Sequence, residues 1–252
     1  MEKVKTGIEG LDKILNGGFP KNNIILISGG AGTGKTILCL EYIYNGATKF
    51  KEPGVYVSTE QTEEELKNEV SSFGWDFNKL EKEGLVKIVK IDLTKGPRII
   101  KDIKKYVKEI GAKRLVVDSL TTLTEFLSIE SFKTKSYELV KSLKEIIPVP
   151  LTESIVTKNL LFRILGELKE LNCTTLVTSE LPEQGNWLSR DTVSEFLCDG
   201  VILLHYTGIG GVEGRTIQVR KMRMSKHEGG HFPLDFGPHG LVVGKESLVL
   251  IK

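Results

Sequence analysis

The chain is poor in cysteine. Its three cysteines, Cys39, Cys173 and Cys198, are odd in number and far apart. They exclude a disulfide scaffold, form no metal-ligand spacing, and are expected as buried thiols of a cytoplasmic protein. An excess of either charge is also missing: 35 basic against 33 acidic side chains leave a net charge of +2. That balance gives no whole-protein field for gripping nucleic acid or an anionic membrane, although a local patch stays open. No apolar run approaches membrane-spanning length, and the opening residues MEKVKTGIEG lack the apolar stretch of a secretion signal.

What is present is an ordinary globular composition, 40% hydrophobic and 27% charged, with short apolar runs set at regular intervals over 252 residues. IILIS (24–28), VYVST (55–59), LVKIVKI (85–91), RLVVDS (114–119), TTLVTS (174–179) and GVILLHY (200–206) read as strands. Helical periods fall between them at 35–49, 62–73, 97–110 and 157–171. This alternation predicts an α/β fold, a mainly parallel twisted sheet covered by helices on both faces. After residue 200, RTIQVRKMRM, GHFPLDF, GLVVG and SLVLI predict antiparallel strands at one edge. One domain over 1–252 is expected, with a helical insertion near 128–158. That insertion holds an extra helix near 132–147 and a Pro-punctuated loop, placed on the surface or against a partner.

Residues 29–36, GGAGTGKT, match G-x-x-x-x-G-K-[ST] between a strand and a helix. Gly29, Gly30, Ala31, Gly32, Thr33 and Gly34 can wrap a phosphate with backbone N–H groups, and the helix start adds a favourable dipole. Lys35 would reach the β- and γ-phosphates of ATP, and the Thr36 hydroxyl would bind Mg2+; Ile37 follows in the same turn. The cofactors implied are ATP and Mg2+. Asp118 ends an apolar strand at the crevice where parallel sheets bind ligands, so it can hold the Mg2+ through water. The alternative is an ordinary turn or capping acid.

In VSTEQTEEEL (57–66), Thr62 to Glu65 has the form of a capping box, which accounts for Glu63, Glu64 and Glu65 without function. Glu60 lies before the cap, at the ligand end of its strand. There it can activate the water that attacks the γ-phosphate, or it is a solvated loop acid. In TIQVRKMRM, the alternation places Ile217, Val219, Lys221 and Arg223 on one face. Its two cations serve either as edge protection or as charge delivered to a subunit interface.

In their order, TGIEGLDKILNGG, GGAGTGKT, EPGVYVSTEQTEEEL, SSFGWD, RLVVDS, CTTLVTSE, VRKMRMSKH and HGLVV resemble the KaiC-like branch of RecA-type ATPases, nearest its single-domain archaeal members, from end to end except near 125–158. The resemblance implies that Glu60 is the first of two adjacent catalytic glutamates, the second being replaced by Gln61. It implies a ring, a hexamer, in which Lys221 and Arg223 reach a neighbour's γ-phosphate, with His227 in the same set. It also places Ser72 at the adenine base, and Thr178, Ser179 and Glu180 in a switch segment. Met224 stands where many relatives have glycine, so a different local backbone is expected. Two other functions stay open: a RadA-like DNA repair and recombination accessory protein, and a small-molecule kinase. The loop 181–196 carries Arg190 against Glu183, Asp191 and Glu195, which disfavours direct DNA contact. Trp187 in that loop could stack on a base or anchor an interface. No arginine-rich lid supports a kinase. A slow ATPase that works as a nucleotide-gated switch, with a protein partner of unknown kind, is the leading reading.

Overall fold

Isoleucine and leucine fill IILISG, and the strand they form, β3 (Ile24–Gly29), is buried at every position, as a strand covered on both faces must be. It lies at the centre of a nine-stranded sheet in the computed structural model, which describes residues 2–96, 98–133, 149–182, 187–209 and 212–247. The strands around it are β4 (Gly54–Ser58), β5 (Val86–Lys90), β6 (Arg114–Asp118), β7 (Thr174–Glu180), β8 (Gly200–Ile209), β9 (Val212–Met222), β10 (Phe232–Gly237) and β11 (Gly240–Val243). Their order is β11-β10-β9-β8-β3-β7-β6-β4-β5. From β8 to β5 neighbours run parallel, and β9, β10 and β11 extend the edge antiparallel. The expected α/β class and edge hairpins are therefore present; residues 248–251 of SLVLI lie outside the described residues. A short pair, β1 (Lys3–Val4) and β2 (Phe19–Pro20), forms a separate ribbon around α1 (Leu11–Ile14).

Helices cover both faces. One core gathers α1, α2 (Lys35–Lys49) and α4 (Phe77–Lys82) with Tyr56 and Trp75. The other gathers α5 (Arg98–Glu109), α6 (Leu120–Lys133) and α7 (Val149–Lys169). In α5 the buried Ile99, Ile103 and Val107 recur every four residues, so one stripe enters the core and the lysines stay outside. The helix expected over 62–73 is two pieces: α3 (Glu63–Glu69), with its capping box complete, and a single 3-10 turn, Ser71–Phe73. The loop expected before residue 157 is instead the start of α7, because Pro150 falls in the first turn, where a missing N–H costs nothing. Most of the extra helix expected near 132–147 lies outside the described residues.

A second departure concerns β9. Val201 pairs with Lys221 but Ile202 pairs with Val219, so Arg220 is an extra, bulged residue. A bulge shifts the alternation by one. Ile217, Val219 and Met222 consequently share one core, while Lys221 and Arg223 leave on the opposite side. The expectation that all four residues share a face is wrong for that reason. Met224 holds φ at 58°, the left-handed backbone that glycine favours.

The three cysteines are buried and unpaired, as expected; burial pushes Cys173 up to about 11 and Cys198 up to about 12. Glu41, on α2, is a buried carboxyl that accepts the Leu241 N–H at 2.7 Å and tethers the β10–β11 turn to the helix after the phosphate loop. Burial raises its pKa from 4.5 to about 7. A raised folded pKa stabilises the fold at low pH, and that advantage is lost as pH rises from about 4.5 to about 7. It is worth about 3 kcal/mol at most. Glu41→Gln, which retains an acceptor for Leu241, should flatten this part of the pH–stability curve and resist denaturant better than wild type at pH 8. Parallel curves for the two proteins would show that Glu41 is not the group.

Candidate nucleotide-binding site

Four strands of the parallel set deliver their C-terminal ends to one crevice. From β3 the loop Gly30–Gly34 turns into α2, with Gly32 and Gly34 at φ of 69° and 99°. Gly29 admits no side chain: an added Cβ would stand 2.6 Å from Thr33 Oγ1 and 2.7 Å from the Leu204 carbonyl. Thr33 Oγ1 donates to the Gly30 carbonyl at 2.9 Å and fixes the loop from within. The Lys35 ammonium donates to the Gly29 and Gly30 carbonyls at 3.0 and 2.9 Å, lying across the loop. Ile37 faces the first core and also borders a small cavity of about 160 Å³ over residues 32–36.

At the end of β6, Asp118 is a hub. Its Oδ2 accepts from Thr36 Oγ1 at 3.1 Å and from the Tyr56 hydroxyl at 2.5 Å; its Oδ1 accepts from Thr178 Oγ1 at 2.5 Å. Three strands and α2 are thereby joined through one carboxylate. The hydroxyl and carboxylate oxygens of Thr36 and Asp118 form a hard-donor pair of the kind that suits Mg2+. Burial pushes the Tyr56 hydroxyl well above its ordinary range, and the Asp118 charge adds to this, so Tyr56 stays a neutral donor.

Glu60 follows β4 and is exposed. Its Oε1 accepts from Thr122 Oγ1 at 2.7 Å, in the first turn of α6 just after Asp118. Thr122 is itself held by Ser119, whose Oγ accepts the Thr122 N–H at 3.1 Å. The amide of Gln61 is used differently: it donates to Glu69 on α3 at 3.1 Å. Ser179 accepts from Thr121 at 3.2 Å and from the Arg190 N–H at 3.1 Å, linking the end of β7 to the loop beyond it. Glu180 is exposed.

Not every residue singled out in the sequence meets here. Ser72 is exposed on its 3-10 turn and makes no side-chain hydrogen bond among the described residues; its neighbour Phe73 approaches Phe236 at 6.5 Å. Arg223 lies at the opposite end of the sheet, while Lys221 pairs with Val201, the partner of Leu26 midway along β3. The Arg223 N–H donates to the Asp199 carbonyl, and the Asp199 N–H donates to that of Ile24, the first residue of β3. The phosphate loop leaves the last residue of that six-residue strand, so the two groups stand roughly 17 Å apart along it. The Lys221 ammonium instead caps the short helix α8 (Ser194–Leu197), donating to the Glu195, Phe196 and Cys198 carbonyls at 2.8, 3.2 and 2.7 Å. Burial lowers its pKa, and the adjacent Arg223 lowers it further. The Arg223 guanidinium donates to the Phe196 carbonyl at 2.9 Å. His227 is half-buried in the loop that follows β9, with Nδ1 3.2 Å from the Glu228 carbonyl oxygen.

Two residues at the loop have no counterpart in the sequence reading. Arg215 Nε donates to the Gly32 carbonyl at 2.9 Å, and its guanidinium lies between the Tyr206 and Phe236 rings at 5.1 and 4.6 Å. Phe236 in turn covers Gly34, where an added Cβ would meet its ring at 3.3 Å. Nothing local marks either residue, since the pairing of β8, β9 and β10 alone brings them to the loop.

A parallel sheet with a phosphate-binding loop after its central strand, and an acid ending a strand two places away, defines a RecA-type nucleotide-binding protein. The KaiC ATPase family signature matches residues 4–151 and 146–247, and the chain belongs to that family. It is similar to the circadian clock oscillator protein KaiC of Synechococcus elongatus, 31% identical over 95% of this chain and 43% of that protein. The chain thus spans less than half the length of the clock relatives it matches. Over the full length of both chains it is 29% identical to a UPF0273 protein of Methanocaldococcus jannaschii. Among solved structures it is similar to a KaiC-like protein of Pyrococcus horikoshii, with a TM-score of 0.77, 35% identity and coverage of 96% and 98% of the two chains. No helix among the described residues is long and apolar enough to cross a membrane.

Proposed function

We propose that the chain is a slow, Mg2+-dependent ATPase that closes into a ring, a hexamer, with nucleotide held between subunits, and that its nucleotide state switches assembly or partner binding. The observation that carries this reading is the separation of Arg223 from the phosphate loop of its own chain by the length of β3, with Lys221 turned away onto the carbonyls of α8. Cations so placed cannot serve the site in cis, whereas a head-to-tail neighbour can present them. In this reading the loop N–H groups of residues 29–34 and Lys35 hold the phosphates, and Thr36 and Asp118 hold Mg2+, which would neutralise charge on the β- and γ-phosphates. Glu60, aimed by Thr122, takes the proton of the attacking water, and Lys221 and Arg223 stabilise the neighbour's γ-phosphate. Ser72 and His227 remain candidates for base and phosphate contact. Gln61, whose amide is used on Glu69, leaves Glu60 without a second carboxylate beside it, which favours slow turnover. The buried, unpaired cysteines fit a reducing, cytoplasmic setting.

A DNA-binding role gains no support: Arg190, the single cation of the loop 181–196, lies 4.0 Å from Glu125. The test is complementation. Lys35→Ala and Arg223→Ala chains should each release little phosphate from Mg-ATP, and mixing them should restore release, because some interfaces then combine an intact loop with an intact Arg223. A mixture no more active than its parts, or a chain that stays monomeric with a non-hydrolysable ATP analogue, would sink the composite site.

A further inference from the structure

Beside the phosphate loop a second cavity, of about 730 Å³, opens between Gly30 and Ala31 on one side and Trp187 and Leu188 on the other. It shares only Thr33 with the cavity over Thr36. Its floor is one face of β8 and β9. His205 pairs with Thr216, and Thr216 pairs with Pro233, so His231, two residues before Pro233, falls on the same face. The two imidazole rings are 5.4 Å apart.

This floor is unusual in its hydrogen bonding. His205 Nε2, His231 Nδ1 and Thr216 Oγ1 are each buried and have no partner among the described residues. Native folds rarely leave adjacent buried polar atoms unpaired, and three in one patch call for something that pairs with them. Further along the same strand, Gln218 and Arg220 line the cavity, and their side chains make no hydrogen bond or ion pair among the described residues. No aspartate or glutamate is among the described lining residues. One guanidinium and two imidazoles, with no carboxylate among the described lining residues, give a cavity that offers hydrogen-bond donors to an anion. At the rim Trp187 is 47% exposed and offers a flat apolar face.

We propose that this cavity, which borders the phosphate loop but is distinct from the cavity over Thr36, is a second ligand site for a phosphorylated small molecule that carries a planar ring. Arg220, His205 and His231 take the phosphate, and Trp187 takes the ring. The volume accommodates a molecule of mononucleotide size. The site rests on its own geometry and stands whether or not the chain hydrolyses ATP.

AMP is a suitable probe in a Lys35→Ala chain, where the phosphate loop is disabled. The chain has two tryptophans; Trp75 is buried and stacked on Tyr44, so fluorescence quenching reports Trp187. Saturable quenching by AMP is expected, with inorganic phosphate competing and Trp187→Phe abolishing the signal. Arg220→Gln should weaken binding at least 10-fold, as should the His205→Gln, His231→Gln double variant, and Arg220→Lys should recover part of it. Absence of saturable quenching, or quenching unchanged by Arg220→Gln, overturns the proposal and leaves water as the partner of the unpaired atoms. A Trp187 signal that follows protein concentration and ignores AMP overturns it in favour of a second copy of the chain.

Discussion

Arg114→Met should lower the free energy of unfolding by about 3–5 kcal/mol, the usual cost of deleting one member of a buried ionic cluster. Arg114 opens β6 and is fully buried. Its guanidinium donates to Glu52 Oε2 at 2.7 Å, to the Tyr42 carbonyl at 2.8 Å and to the Lys5 carbonyl at 2.8 Å. It also lies over the Tyr42 ring, 4.5 Å from its centroid. The space is shaped for it, since a Cβ on Gly46 would come within 2.4 Å of the Arg114 side chain. One planar group thus ties the N-terminal ribbon, α2 and Glu52 to the base of the sheet. Its removal leaves two carbonyls and a carboxylate without their donors. Arg114→Lys should recover little, because an ammonium cannot span these acceptors in a fork. Thermal unfolding is the measurement, with a drop of about 10 °C expected for a chain of this size. Arg114 and Asp118 stand at opposite ends of β6, so ATP affinity in the folded fraction should stay unchanged. A melting temperature within a degree or two of wild type would show that the cluster contributes little.

Glu60→Gln should slow phosphate release about 100-fold or more while leaving ATP binding intact. Positioned general bases contribute a factor of about 10² to 10⁴, and the amide keeps the shape and can still accept from Thr122. The two readouts separate chemistry from binding: a fluorescent ATP analogue should bind with wild-type affinity to the variant that no longer turns over. Equal release rates for wild type and variant would remove Glu60 from the mechanism and leave it a solvated acid hydrogen-bonded to Thr122.

Much of the fold was readable because its signals are local. A strand buried on both faces must be apolar throughout, so β3, β4 and β6 stand out as runs. The capping box at Thr62 depends on residues three apart, and it formed as expected. Less was readable wherever one strand had to find another. The bulge at Arg220 adds one residue without altering the alternation of residue types, so the side to which Lys221 and Arg223 turn was assigned wrongly. The early start of α7 was missed because a proline signals a break in a sequence scan, although in a first helical turn it breaks nothing.

By itself the sequence determined the phosphate loop, the strand that leads into it, the helix that leaves it, and the acids that end β4 and β6. Each of these follows from the backbone and charge demands of a few consecutive residues. Only the tertiary structure decided that Tyr56, Thr178 and Thr36 converge on Asp118, that Arg215 and Phe236 close over the loop, and that Arg223 stands a strand's length away from it. Those relations depend on sheet order and register, and these emerge from hydrogen bonding between segments far apart in the chain, such as Glu41 and Leu241, 200 residues apart.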